Sequence, residues 1–290
     1  MLGPLVAYLP TPRTPDGGIG TDALGALVDR AVAAGVDGIA VLGSSGGFAY
    51  LDRNRRRTVV DAAAEAVAGR VPMLAGIGAL TTEAVLEHAA DAGRADALLL
   101  GTSAYLPLTP EEVVGLYREV AVRSLRPVWA YHNPRTTGVE ISVDTLAQIC
   151  ELDGIGGFKD RGTDAADLVR RCTELTARVP ERIEIGYSGD ALGVHGLLAG
   201  ARTWHCGLAG LIPGPFVAAA AAAVAGDRER ALAAVTELQE WIDLGATWGV
   251  ARLAAVVGPA IGIETGALPA PLLAPPAGVR DEVERLLSAS

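Results

Sequence analysis

The chain has 290 residues, half of them hydrophobic, which suits one large domain or a barrel with an added end piece. A formal charge of −10 and an aromatic content of 4% disfavour a polyanionic partner, so nucleic acid is set aside. Three cysteines, Cys150, Cys172 and Cys206, are too few and too scattered for a disulfide framework or a zinc ribbon, and they fit a reducing cytoplasm.

Short β-rich runs alternate with longer helical patterns along most of the chain. Strands are expected near Leu5–Tyr8, Gly38–Gly43, Pro72–Gly78, Ala97–Gly101, Pro127–His132, Gly154–Lys159, Arg182–Gly189 and Thr203–Gly207. Between them lie helices with recognisable starts. At Thr109-Pro110-Glu111-Glu112 a threonine cap, a proline in the first turn and a glutamate at the third position coincide, and the apolar stripe Val113, Leu116, Tyr117, Val120 follows. Thr81-Thr82-Glu83 and Thr21-Asp22 are read as similar openings. Eight strand–helix units favour an α/β fold, an eightfold (β/α) TIM barrel over residues 1–212, rather than an open doubly wound sheet.

Beyond Pro213 helices dominate, expected near Pro215–Ala225, Asp227–Leu244, Thr247–Val256 and Arg280–Ser288, with an extended connector from Thr265 to Gly278. Residues 213–290 thus read as a C-terminal helical extension packed on the barrel. The alanine-rich stretch from Val217 to Ala225 is too short to span a bilayer, and the N-terminus lacks a basic start before a long apolar core. A soluble, cytoplasmic protein without a membrane partner is expected.

Of the 24 basic residues 23 are arginine, and the single lysine is Lys159. It ends the run Gly154-Ile155-Gly156-Gly157-Phe158, where a barrel strand delivers its side chain to the C-terminal mouth. Arginine serves wherever only positive charge is needed, but a guanidinium is no practical nucleophile, whereas a desolvated amine can lose its proton and attack a carbonyl. Burial lowers the amine's pKa from its reference value of about 10.4 and frees the lone pair. An accidental lysine in an arginine-biased sequence is the bland alternative.

Other strand ends converge on the same mouth. Gly43-Ser44-Ser45-Gly46-Gly47 supplies small residues, backbone N–H groups and two hydroxyls suited to a carboxylate; an ordinary glycine-rich turn is the competing reading. Tyr131, in Trp129-Ala130-Tyr131-His132-Asn133-Pro134, lies one strand from Lys159 and can shuttle protons, although such a tyrosine can equally be a packing residue. Tyr105 follows the fourth strand. His88 falls on a helix and reads as a surface residue, while His132 and His205 lie near strand ends where they can touch substrate. No histidine pair or carboxylate set has metal-ligand spacing, so carbonyl activation falls to the amine and no metal or other cofactor is expected.

With these pieces in place, the sequence resembles the dihydrodipicolinate synthase/N-acetylneuraminate lyase superfamily of Schiff-base, pyruvate-type aldolases. Gly43-Ser44-Ser45-Gly46 is similar to the family's Gly-Ser/Thr-Thr-Gly loop, Tyr131-His132-Asn133-Pro134 with Gly138 to its Tyr-Asn-x-Pro segment, and Gly157-Phe158-Lys159-Asp160 to its Gly-hydrophobic-Lys motif. The resemblance implies that Lys159 forms an imine with pyruvate or a related 2-keto acid, that Tyr131 relays protons, and that Ser44 and Ser45, with Gly46 in the same loop, hold the carboxylate. It further implies that Tyr105 joins the active site of a neighbouring subunit in a homotetramer built from dimers. His205 is added as a substrate-binding candidate.

Two departures bear on the substrate. Gly47 stands where the family usually has glutamate, and Thr136 stands where dihydrodipicolinate synthases have an arginine for the second substrate's carboxylate, with Arg135 one residue earlier. Gly-Phe-Lys-Asp is also similar to the motif of keto-deoxyglucarate dehydratases. The expected function is a lyase or synthase acting on a 2-keto acid and an aldehyde. The alternatives are a sugar-acid dehydratase using the same imine and a non-catalytic keto-acid-binding member.

Overall fold

In the computed structural model, residues 1–289 are described. Eight parallel strands close into a barrel in sequence order: β1 (Leu5–Tyr8), β2 (Gly38–Val41), β3 (Met73–Gly76), β4 (Ala97–Gly101), β5 (Val128–Tyr131), β6 (Ile155–Asp160), β7 (Glu184–Ser188) and β8 (Thr203–Cys206). Each falls on an expected run, trimmed by up to two residues at an end, and β6 runs one residue past its expected end to Asp160. Such strands are almost wholly buried, because helices cover the outer face and side chains fill the lumen.

Alternation along each strand separates two apolar sets. Inward-facing Val6, Tyr8, Leu74, Leu99, Trp129 and Tyr131 pack with one another inside the barrel. Outward-facing residues such as Ala7, Ile39, Leu98 and Phe158 join the helices in the main core. Gly157 belongs to the first set by necessity. A Cβ there would stand 2.8 Å from the Trp129 indole, so the glycine makes room for that ring in the lumen.

The helix Pro110–Arg123 carries the full capping box at Thr109 and Glu112, worth about 1 kcal/mol, and Thr81 caps the helix Thr82–Asp91. Thr21 does not act as a cap: it is the first residue of the helix Thr21–Ala34, and Gly20 stands at the cap position with no side-chain bond. His88 also departs from expectation. It is half-buried beside Arg56 and Asp91, and burial, followed by the Arg56 charge, lowers its pKa to about 4.

After β8, helices span Pro213–Val224, Arg228–Glu237, Gln239–Trp248, Val250–Ala260 and Ala277–Ala289. The expected helix Asp227–Leu244 is two helices joined at Leu238, and Gly249, at φ 75°, separates the next pair. The first of these helices docks Phe216 against Trp204, with ring centroids 5.6 Å apart. Among the described residues no helix is long and apolar enough to cross a membrane.

Candidate active site

Lys159 and Tyr131 occupy paired register positions on β6 and β5, and both are buried. The Lys159 Nζ lies 3.6 Å from the centroid of the Tyr8 ring and 4.3 Å from that of Tyr131. Two π-faces favour an ammonium, yet full burial opposes it more strongly, and the amine's pKa is lowered by desolvation despite the pull of Tyr131 and Asp190. The amine is therefore easier to deprotonate than an ordinary lysine.

The Tyr131 phenol is tuned to match. Burial alone pushes its pKa up, but the Lys159 charge and hydrogen bonds from Thr136, Ser44 and Asn133 outweigh that effect and hold it below the usual tyrosine value. Asn133 Nδ2 donates to the phenolic oxygen at 2.9 Å, and the Thr136 hydroxyl lies 3.5 Å away. A phenol that gives up and regains its proton readily beside an amine is suited to proton relay. One cleft beside it is lined by Ser44, Gly78, Gly101, Tyr131, Thr136 and Thr137.

The serine loop is held by an unusual backbone. Leu42 adopts φ 57°, in the left-handed region that branched side chains avoid, and a Cβ on Gly76 would overlap its carbonyl oxygen. Gly76 thus permits the bend that presents Ser44 and Ser45. Gly46 N–H already donates to Gly43 O at 3.0 Å and Gly47 N–H to Ser44 O at 3.1 Å. Among the described residues, the N–H groups of Ser44 and Ser45 remain without a backbone acceptor, alongside the two hydroxyls. Gly46 contributes by shape, since a Cβ would stand 3.1 Å from the Thr11 hydroxyl and 3.2 Å from Leu42 N. A second depression, which touches Ser45 and Gly46 from the side of Thr265–Pro269, includes neither Lys159 nor Tyr131.

His205 lies inside the barrel rather than on a loop at its rim. Its Nδ1 is 3.0 Å from the Tyr8 hydroxyl, its Nε2 is 2.9 Å from the Thr203 hydroxyl, and its ring packs edgewise on Trp129. Burial, then the nearby Lys159 charge, pulls its pKa well below the ordinary value, so the imidazole is neutral and fixes the Tyr8 ring under the amine. Tyr105, by contrast, is 91% exposed.

Sequence reasoning missed Tyr8, because a tyrosine closing the apolar run Leu5-Val6-Ala7-Tyr8 carries no polar context. It also gave no role to Asp160, whose fully buried carboxylate accepts from Arg171 Nε at 2.8 Å and Nη2 at 3.0 Å, and lies 2.6 Å from His132 Nδ1. Glu140 Oε1 lies 3.1 Å from His132 Nε2, off the line of a hydrogen bond. Asp160 alternates with Lys159 along β6, so this cluster backs β6 from outside the lumen. The adjacent Asp190 takes the N–H groups of Gly207 at 2.7 Å and Leu208 at 3.1 Å and fixes the end of β8.

A closed parallel barrel with its single lysine buried at the C-terminal mouth, between two phenols, has the architecture of a barrel enzyme. The chain belongs to the dihydrodipicolinate synthetase family, whose model matches residues 1–290, and it is a lyase, as its relatives are. It is 37% identical to an uncharacterised DapA-like lyase of Halobacterium salinarum, over 72% of this chain and 68% of that protein. It is 34% identical to the 4-hydroxy-tetrahydrodipicolinate synthase of Methylococcus capsulatus, over 79% of this chain and 78% of the other. The crystal structure of dihydrodipicolinate synthase from Agrobacterium tumefaciens superposes with a TM-score of 0.94 at 34% identity, covering 99% of this chain and 98% of that one.

Proposed function

We propose that Lys159 attacks the C2 carbonyl of pyruvate or a related 2-keto acid. Loss of water from the resulting carbinolamine gives an imine, and loss of a C3 proton gives an enamine that makes a carbon–carbon bond with an aldehyde. In the lyase direction the same steps run backwards. Tyr131 carries the protons, and the N–H and hydroxyl groups of Ser44 and Ser45 hold the carboxylate. The observation that carries this reading is the placement of the chain's single lysine, buried between Tyr8 and Tyr131 with a lowered pKa. His205 acts through Tyr8.

A second reading keeps the imine and expels water and carbon dioxide from a keto-deoxy sugar acid, whose ketone Lys159 would attack. The Gly157-Phe158-Lys159-Asp160 motif and Thr136 at the position of the synthases' arginine favour it. A mass-spectrometric screen of pyruvate with aldehydes, and of sugar acids alone, separates the two. Pyruvate-dependent adducts support bond formation, whereas loss of water, alone or with carbon dioxide, from a keto-deoxy sugar acid supports dehydration. Absence of both with every 2-keto acid tried argues against the imine chemistry proposed here. The exposure of Tyr105 and Leu106, at 91% and 71%, supports a further element: these side chains enter a neighbouring subunit within a homotetramer.

A further inference from the structure

Arg161 stands two residues beyond Lys159, where β6 ends. Side chains alternate along an extended chain, so Arg161 follows Lys159 toward the barrel mouth while Asp160 between them points outward. The carboxylates nearest Arg161 in sequence, and Asp190, which acts on it, have other partners. Asp160 is held by Arg171 and His132, and Asp190 accepts backbone N–H groups from the end of β8. Asp164 caps the helix that follows, and Asp167 pairs with Arg170.

The Arg161 side chain reaches the end of β7, where Nη1 lies 3.7 Å from the place a Cβ on Gly189 would take. It is only partly exposed, yet among the described residues it makes no ion pair or hydrogen bond. Arg135, a like charge that acts on it, is also without an ion pair or hydrogen bond among the described residues. Burial and the Arg135 charge both draw the Arg161 pKa down, while Tyr131 and Asp190 oppose them. Withdrawing an unpaired guanidinium from water is costly, and a chain with 34 acidic residues has ample means to neutralise it. A cation left unpaired beside a reactive amine is explained by a ligand that brings its own charge.

We propose that Arg161, aided by the Arg135 charge, binds a second carboxylate, carried on the part of the substrate beyond the imine carbon, so that the enzyme's 2-keto acid is a dicarboxylate. This rests on the Lys159 imine and holds whether the bond then broken is carbon–carbon or carbon–oxygen. The planar fork of Arg161 suits bidentate carboxylate binding, and it replaces an arginine at position 136 by approaching from β6 rather than from β5.

The test uses imine formation itself. Purified protein is treated with borohydride across concentrations of 2-oxoglutarate and 2-oxoadipate, and of the monocarboxylates 2-oxopentanoate and 2-oxohexanoate, with pyruvate in parallel. The concentration giving half-maximal adduct is read by intact mass. The wild type should trap each dicarboxylate at a concentration about 10- to 100-fold lower than the monocarboxylate of equal length. Arg161→Gln should abolish that ratio, and Arg161→Lys, which keeps the charge, should retain part of it. If pyruvate is trapped but the two series are equivalent in the wild type, or if Arg161→Gln keeps the ratio, Arg161 does not select substrate and the imine reading stands alone. If no keto acid is trapped, the imine reading fails and this inference falls with it.

Discussion

Lys159 and Tyr131 face one another across the β5–β6 ladder with the amine 4.3 Å from the phenol ring, and each shifts the other's proton affinity. The Lys159 charge lowers the Tyr131 pKa, and a Tyr131 phenolate raises that of Lys159. Removal of the phenolic hydroxyl alone therefore tests the relay. Tyr131→Phe keeps the ring over the amine and should lower kcat by about 10²–10⁴. A loss below threefold in a folded variant would make Tyr131 a packing residue.

The serine loop gives a second expectation. Ser45→Ala removes one hydroxyl while leaving the Leu42–Gly76 backbone contact in place. It should weaken kcat/KM by about 1–3 kcal/mol, the cost of an unsatisfied charged acceptor, with little change in melting temperature. Unchanged kcat/KM would reduce the loop to a turn.

Stability should depend on pH through Lys159. Its folded-state pKa lies below the unfolded value of about 10.4, so the unfolded chain binds more protons in the window between the two. The buried amine is thus destabilising at and below its folded pKa, and the penalty fades as pH rises toward the unfolded value. Lys159→Met should melt higher than the wild type at pH 7, with the gap narrowing toward pH 10. A gap that widens with pH would show that the amine is stabilised as a cation.

The Asp160–Arg171 pair should behave as a buried ion pair does when one partner is removed. Arg171→Met strands a fully buried carboxylate and should cost about 3–5 kcal/mol in unfolding free energy, measured with denaturant. A loss under 1 kcal/mol would mean that Asp160 is neutralised by another group.

Much of this was legible in the sequence because buried parallel strands read as short apolar runs and several of the helices between them, such as Thr82–Asp91 and Pro110–Arg123, begin with a visible cap. Leu5–Tyr8 and Ala97–Gly101 fall where their composition places them. The break at Leu238 is not legible, since a residue with φ −91° and ψ 7° leaves no sequence mark when packing imposes it. Lys159 stood out by being alone. His205 was picked out as a substrate-binding candidate, but Tyr8 and the pairing of the two were not, because that role comes from their meeting across the barrel, 197 residues apart. The Asp160–Arg171–His132 cluster likewise joins three elements and shows no spacing motif.

The central claim is the imine at Lys159, and a chain with one lysine allows a direct measurement. Borohydride added in the presence of pyruvate should reduce the imine to a stable secondary amine and fix one pyruvyl group to the intact protein. Peptide mapping should place it on the peptide containing Gly157-Phe158-Lys159, and Lys159→Arg should abolish both adduct and turnover. No adduct with pyruvate or any other 2-keto acid, or turnover surviving in Lys159→Arg, would contradict the account.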